Sequence, residues 1–178
     1  MRLQLERLSS PVCELLLVTD DGGVLRALDF ADYESRLHRL LRLHYGDYAL
    51  TEGPTPAIIT QALEAYFAGT IDALDNIPVA TAGTSFQREV WKALRTIAPG
   101  STMTYGQLAA RIDRPGASRA VGAANSQNPI AIVVPCHRVI GANGTLTGYA
   151  GGLSHKQWLL DHERRCASVD SDAAAACT

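Results

Sequence analysis

The sequence of 178 residues lacks any run of about 18 apolar residues, so it offers no candidate for a transmembrane helix. Its first ten residues have neither an apolar core nor a small-residue cleavage site, so we expect no signal peptide and a cytoplasmic location. Hydrophobic residues make up 47% of the chain and charged residues 19%. This composition excludes a disordered chain or a coiled coil and fits one ordinary domain or two small ones.

Cysteine pairs with metal-binding spacing are also missing. The four cysteines, Cys13, Cys136, Cys166 and Cys177, form no CxxC pair. Neither His38 nor His44 is spaced with Cys13 in a way that predicts a zinc site, so we expect no metal and no cofactor. A disulfide framework is not expected in a cytosolic protein, and Cys13 is most simply a small buried hydrophobic residue.

Charge is distributed unevenly along the chain. Residues 1–82 carry 6 basic and 12 acidic residues, residues 83–165 carry 10 basic and 4 acidic residues, and residues 166–178 add two aspartates. A basic half suggests a polyanionic partner such as nucleic acid. Chance segregation of solvated surface charge explains the same counts equally well.

The first half of the chain predicts an α/β domain over residues 1–82 with an antiparallel sheet. Two apolar runs flank the turn sequence Asp-Gly-Gly at 21–23 and predict a hairpin. Apolar spacing and helix-end residues predict two helices after it, the second with Thr55 as its N-cap. The predicted elements are strands at 12–19 and 24–30, helices at 32–44 and 56–67, and a linker at 70–83.

The second half predicts a mostly helical domain over residues 83–165, followed by a disordered tail at 166–178. Three capping boxes, in which Thr or Ser precedes Gln by three residues, mark helix starts. They are Thr84 with Gln87, Thr104 with Gln107, and Ser154 with Gln157.

A short helix from Thr104, a turn at 113–116 and a helix made mostly of Gly and Ala form a helix-turn-helix pattern. A helix this slim can approach the narrow minor groove of DNA, although close packing against a neighbouring helix explains it equally well. Arg119, the long side chain in the first turns of that helix, could contact DNA or simply lie at the surface.

Cys136 follows the apolar run 130–134 and precedes His137 and Arg138. A thiol needs a nearby base or positive charge to act as a nucleophile at neutral pH, and both types stand next to it. Adjacent side chains need not face each other, so these neighbours alone leave a lone buried cysteine as the alternative.

The ordered motifs between residues 84 and 163 resemble the O6-alkylguanine-DNA alkyltransferase family, in its short stand-alone form. Pro-Cys-His-Arg-Val at 135–139 is the most specific of them, with Asn128 eight residues before the cysteine. The others are Tyr-Gly-Gln-Leu-Ala at 105–109, Arg-Ala-Val-Gly at 119–122, Gly-Tyr-Ala-Gly-Gly at 148–152, Lys-Gln-Trp-Leu-Leu at 156–160 and His-Glu at 162–163.

The resemblance implies direct-reversal DNA repair. An alkyl group would pass from O6 of guanine in duplex DNA to Cys136, once per molecule. His137 would take the thiol proton through a water, with Glu163 orienting its ring. Tyr105 would donate to the departing guanine and Asn128 would brace the site. Arg119 would fill the gap left by the flipped nucleotide.

The same resemblance implies the remaining site residues and partners. It implies DNA contacts at Tyr105, Ser118, Arg119, Ala120, Gly122 and Arg138. It also implies a substrate pocket built by Ala131, Val139, Thr147, Tyr149 and Ala150. It also implies a ribonuclease H-like N-terminal sheet and a monomer that binds double-stranded DNA containing alkylated guanine. Alkyl-size preference, O4-alkylthymine repair and cooperative binding to DNA stay open.

Cys13 departs from the family pattern, which usually has Gly at this position, and we expect only a local packing change there. Two other functions compete with repair. One is a lesion-binding protein without chemistry, which the presence of Cys136 disfavours. The other is a Cys-His-Glu hydrolase, which would need an oxyanion hole and multiple turnover.

Overall fold

The computed structural model describes the backbone of residues 1–175 and the side chains as far as Ser168. A four-stranded sheet and one helix come first, and the remaining chain is mostly helical. In chain order the elements are β1 (Arg2–Leu8), β2 (Leu15–Asp20), β3 (Leu25–Phe30), α1 (Glu34–Tyr45), β4 (Ala49–Glu52), α2 (Ala57–Phe67), α3 (Ser85–Leu94), β5 (Met103–Thr104), α4 (Tyr105–Arg111), α5 (Ser118–Ser126), β6 (Val139–Ile140) and α6 (Leu153–Ala175).

The four-stranded sheet has the order β3-β2-β1-β4. Strands β1, β2 and β3 pair antiparallel, which confirms the predicted hairpin, whereas β4 pairs parallel to β1. Both β1 and β4 were missing from the sequence prediction. The finer description of the sheet as ribonuclease H-like stays a prediction.

The sheet has apolar side chains on both faces, so it forms a middle layer. On one face Leu16 and Val18 pack with Leu37 and Leu41 of α1. On the other face Leu15, Leu17 and their neighbours join the main core, to which α2–α6 contribute. Successive residues of a strand point to opposite faces, so a fully apolar β2 is what a covered sheet requires.

The main core runs across the predicted boundary between the two halves. The backbone N–H of Leu28 donates to the carbonyl of Pro129, and that of Ala131 donates to the carbonyl of Leu28, both at 2.9 Å. The segment 70–83 holds no helix or strand, and its residues Ile71, Leu74 and Ile77 are buried in this core, so it is packed against both halves. The domain limits at 82 and 165 stay predictions.

Helix starts follow the predicted capping boxes at two of three places. The boxes at Thr84 and Thr104 are both formed. The box at Ser154 is wrong because α6 already begins at Leu153. Thr55 does not cap α2, whose N-cap is Pro56, because its hydroxyl donates to the carboxylate of Glu6 instead.

The predicted tail also differs from expectation in its first part. Helix α6 continues to Ala175, so residues 166–175 are helical rather than disordered. Residues 176–178, which include Cys177, lie outside the described part of the chain. No helix within that described part is both long enough and apolar enough to cross a membrane.

Helices α4 and α5 are joined by a turn at 113–116, as the helix-turn-helix pattern predicts. The inner face of α5 carries Val121 and Ala124, and the indole N–H of Trp91 donates to the carbonyl of Ala124 at 2.9 Å. Arg119, Ala120 and Ala123 are exposed. Close packing therefore explains the small residues of the inner face, and the outer face remains slim and accessible.

Candidate active site

Cys136 begins a 3-10 turn, Cys136–Arg138, that follows a buried irregular segment. This segment, residues 130–134, is buried as predicted, and Ile132 within it has a φ of 67°. A β-branched residue in that region is strained, so the surrounding core must hold the segment in place. The backbone that presents Cys136 is therefore fixed by packing from both halves of the chain.

The thiol of Cys136 is buried and hydrogen-bonded. The side-chain amide of Asn128 donates to Sγ at 3.1 Å and to the carbonyl of Val134 at 2.8 Å, while its Oδ1 accepts from the N–H of Ile130. Burial raises the pKa of the thiol, and Asn128 and the charges of Arg36 and Lys156 oppose that rise. Asn128 thus braces the sulfur, as predicted, and favours the thiolate once a base takes the proton.

Glu163 lies at the centre of a buried hydrogen-bond network. Its Oε1 accepts from Tyr66, His137 and Arg138 at 2.8, 2.8 and 2.9 Å, and its Oε2 accepts from Arg138 and the N–H of Gly100, both at 3.0 Å. Burial alone would raise the pKa of Glu163, but His137 and Arg138 lower it well below its usual range. The group is therefore a carboxylate held by five donors.

The ring of His137 is oriented by this carboxylate. Glu163 can only accept, so the Nε2 that contacts it carries the proton and Nδ1 keeps its lone pair. Nδ1 is buried and has no protein partner among the described residues. Burial lowers the pKa of His137, against the opposing effect of Glu163, so the imidazole is neutral at physiological pH. A neutral ring with a free lone pair is what a base requires.

Arg138 does not lie where the sequence analysis placed it. Its side chain is 5% exposed, and its guanidinium pairs with both oxygens of Glu163 and donates to the carbonyl of Ile97 at 2.6 Å. A guanidinium with these partners cannot reach a phosphate, so the predicted DNA contact is wrong. Arg138 instead holds Glu163 in its charged form.

A small pocket of about 10 Å³ opens beside Cys136. It is lined by Arg36, Asn125, Ser126, Ala131, Cys136, Gly148, Tyr149, Ala150 and Gly151. Ala131, Tyr149 and Ala150 thus lie where predicted. Val139 and Thr147 do not line it, and their carbonyls accept from the ammonium of Lys156 at 2.6 and 3.2 Å.

Tyr105 lies at the start of α4, and its side chain contacts the loop that contains Thr147. Its hydroxyl donates to the carbonyl of Thr147 at 3.3 Å. Burial raises its pKa, as does the nearby charge of Cys136, so the hydroxyl keeps its proton. Its ring lies 3.8 Å from where a Cβ at Gly122 would stand, which is an ordinary van der Waals distance, so α5 packs directly beside this ring.

The site includes residues that sequence reasoning missed. Arg36 donates to the carbonyl of Asn128 at 2.9 Å, Lys156 is fully buried, Tyr66 contacts Glu163, and Asn125 lines the pocket. Lys156 could have been found from the sequence, because it belongs to the family motif Lys-Gln-Trp-Leu-Leu at 156–160. Arg36 and Tyr66 lie on the amphipathic helices α1 and α2. In the sequence, Arg36 resembles an ordinary surface residue and Tyr66 an ordinary core residue, so neither could be assigned to the site.

Comparisons with known proteins agree with this geometry. The family model for the DNA-binding domain of 6-O-methylguanine DNA methyltransferase matches residues 85–165. Methylated-DNA–protein-cysteine methyltransferase from Shigella flexneri is 52% identical over 92% of this chain and 96% of its own. The chain belongs to the methylated-DNA–protein-cysteine methyltransferase family.

Other members of the methyltransferase family are similar to parts or all of the chain. The protein of that name from Methanosarcina acetivorans is 58% identical over 60% of this chain and 68% of its own. The crystal structure of Mycobacterium tuberculosis OGT in complex with DNA has a TM-score of 0.77 and 42% identity, covering 93% of this chain and 94% of that one. The methyltransferase assignment makes direct-reversal DNA repair by alkyl transfer to a cysteine the activity of this chain, and the lesion-binding alternative is not favoured.

Proposed function

We propose that this chain moves an alkyl group, methyl above all, from O6 of guanine in duplex DNA to Sγ of Cys136, once per molecule. The observation that carries the proposal is a buried thiol on a pocket wall, next in sequence to a neutral His137 oriented by Glu163. A nucleophile, a base and an orienting carboxylate are the components that activation of a thiol requires.

The transfer is a displacement at the alkyl carbon. The thiol proton passes to Nδ1 of His137, with a water as the relay. The thiolate then forms a new S–C bond while the C–O6 bond breaks, and its electron pair stays with the guanine. The guanine takes up a proton, which leaves a thioether on the protein and an unmodified base in DNA.

Tyr105 assists the departing guanine. Its hydroxyl keeps its proton and stands at the start of α4, beside the loop that lines the pocket. A protonated phenol can donate a hydrogen bond to the oxygen or ring nitrogen on which negative charge develops. This role is separate from that of His137, which acts on the thiol.

DNA would engage the outer face of α5. Ser118 and Gly122 are half-buried there, and Arg119 and Ala120 are exposed. A buried thiol cannot reach O6 inside a base pair, so the nucleotide must leave the stack. The pocket of about 10 Å³ is much smaller than most small-molecule sites, so the loop at 147–151 must shift to admit a base.

The test uses a duplex containing one O6-methylguanine and the purified full chain. We expect a stoichiometric gain of one methylene in intact mass, mapped to Cys136 by peptide analysis. Repeated turnover with no mass gain would contradict the proposal and favour a hydrolase. The same measurement with a duplex containing O4-methylthymine shows whether the chain also accepts a methyl group from that base.

Replacing Arg119 by alanine should slow repair of duplex DNA at least tenfold and change DNA affinity less than about threefold, because one cation supplies a small part of a salt-dependent affinity. Single-turnover rates and binding should be measured together. Arg114→Ala is the matched control, because Arg114 is also exposed, with its guanidinium paired with Glu89 and over the ring of Phe86. Equal repair rates for Arg119→Ala and the parent would contradict the stacking role.

Two finer features stay proposals. The cytoplasmic location rests on the N-terminal sequence, and the monomeric state rests on the family resemblance. Sedimentation of the protein alone and on DNA of increasing length would measure both the oligomeric state and cooperative binding.

A further inference from the structure

Three possible metal ligands from distant parts of the chain meet beside the cysteine pocket. They are Cys13 in the β1–β2 connection, Asp32 after β3 and His155 in the first turn of α6. One ligand atom from each lies within 4.8 Å of the other two. Residues 13, 32 and 155 have no common spacing in the sequence, so this group is not visible there, unlike the set of Cys13, His38 and His44 considered above.

The ligand types favour a soft or borderline divalent cation. Thiolate, imidazole and carboxylate together suit zinc better than magnesium or calcium, which prefer oxygen alone. In a tetrahedral zinc site, ligand atoms are roughly 3.5 Å apart. Nε2 of His155 and Oδ2 of Asp32 are already 3.4 Å apart, and Sγ of Cys13 lies within 4.8 Å of a ligand atom of each.

His155 is held in the orientation that a ligand needs. Its Nδ1 contacts the carbonyl of Gly151 at 2.6 Å, and its ring stacks on Phe30 with centroids 4.2 Å apart. A carbonyl only accepts, so Nδ1 carries a proton, and Nε2 is the ring nitrogen that faces Asp32 and is left to bind a metal. A backbone carbonyl that fixes the remote ring nitrogen is the usual support for a metal-bound histidine.

We propose that Cys13, Asp32 and His155 bind one zinc ion, with water as the fourth ligand. The side chain of Asp32 is 55% exposed, which gives both the ion and the water a path to the site. The thiol proton of Cys13, now donated toward the carbonyl of Glu14, leaves to solvent when the S–Zn bond forms. This site is separate from Cys136 and does not depend on the proposed repair chemistry.

Zinc at this place would connect the N-terminal part of the chain to the start of α6. Gly151, whose carbonyl orients His155, also lines the pocket beside Cys136. A bound ion stabilises the folded state by mass action. At a hundredfold excess over its Kd it should raise Tm by roughly 5 to 10 °C for a chain of this size.

The experiment titrates zinc into the chelator-treated full chain and measures stoichiometry, Kd and Tm. We expect one ion per chain, no Tm change with magnesium, and a thiolate-to-metal charge-transfer band when cobalt(II) replaces zinc. Cys13→Ala should weaken zinc binding at least 100-fold and remove the band, and Asp32→Asn should weaken binding at least tenfold. Cys166→Ala is the matched control and should bind zinc like the parent.

A second measurement needs no variant. Zinc should protect Cys13 from alkylation by iodoacetamide in the parent protein, while Cys166, which is similarly half-buried, should react at an unchanged rate. Failure of zinc to bind, or equal binding by Cys13→Ala, would overturn the proposal. Alkyl transfer by Cys136 would be untouched by either result, so the two proposals fail separately.

Discussion

Replacing Cys136 by alanine should abolish alkyl transfer completely while leaving a folded protein that still binds DNA. Sγ is the atom that forms the new bond, and Cys136 is the one described cysteine that lines the active-site pocket. The predicted DNA contacts lie on the exposed face of α5, which this change does not touch. Intact mass after mixing with the O6-methylguanine duplex measures transfer, and a binding isotherm measures affinity.

The variant should remain folded because the change is small. Cys136 is 3% exposed, so loss of the sulfur leaves a cavity of one atom and costs about 1 to 2 kcal/mol. Asn128 keeps its bond to the carbonyl of Val134. We expect Tm to fall by about 2 to 8 °C.

Cys13→Ala and Cys166→Ala are matched controls, because each removes one thiol away from the pocket. Both should accept one alkyl group per molecule at the parental rate. Any loss of methyl from DNA in the presence of Cys136→Ala would show that another group is the acceptor.

The sequence predicted those parts of the fold that depend on residues close to each other along the chain. The capping boxes at Thr84 and Thr104 satisfy backbone donors within one turn, so three residues suffice to predict them. Apolar and polar residues alternate at 2–8, which is the local pattern of strand β1, although β1 was not among the predicted elements. Strand β4 carried none, because only Leu50 packs against the core.

The site was predictable only as far as the family resemblance extended. The resemblance named Cys136, His137, Glu163 and Asn128, and the structure pairs Asn128 with Cys136 and His137 with Glu163. It suggested DNA contact for Arg138, but whether an arginine faces solvent or a buried carboxylate depends on residues 25 and 41 positions away. No local pattern encodes such contacts.

The second large effect is expected for Glu163→Gln. Glutamine has one oxygen and one NH2, whereas three donors face one carboxylate oxygen and two face the other. Either orientation therefore places NH2 against donors and leaves the buried Arg138 without its counter-charge. Loss of one partner of a buried ion pair costs about 3 to 5 kcal/mol, which denaturant unfolding would measure. Transfer should fall at least about 100-fold, because His137 loses the group that fixes its tautomer.

Asp161→Asn is the matched control. Asp161 lies on the same helix, two residues before Glu163, and its pair with Arg164 is half-exposed. Surface pairs of this kind contribute about 0 to 1 kcal/mol, so stability and transfer should both stay close to those of the parent. A similar loss in both variants would mean that any carboxylate-to-amide change in α6 disturbs the fold.

The pH dependence of the unfolding free energy distinguishes the contribution of the charge of Glu163 from that of its packing. Its pKa is lowered on folding, so its stabilising effect is fully present above the ordinary value of 4.5 and is lost as the pH falls through the lower folded value. The difference in unfolding free energy between the parent and Glu163→Gln should therefore narrow below pH 4.5. The pKa of His137 is also lowered by burial, so both proteins should lose stability as the pH falls below 6.5. A difference that stays constant from pH 7 to pH 3 would show that Glu163 acts through packing rather than through its charge.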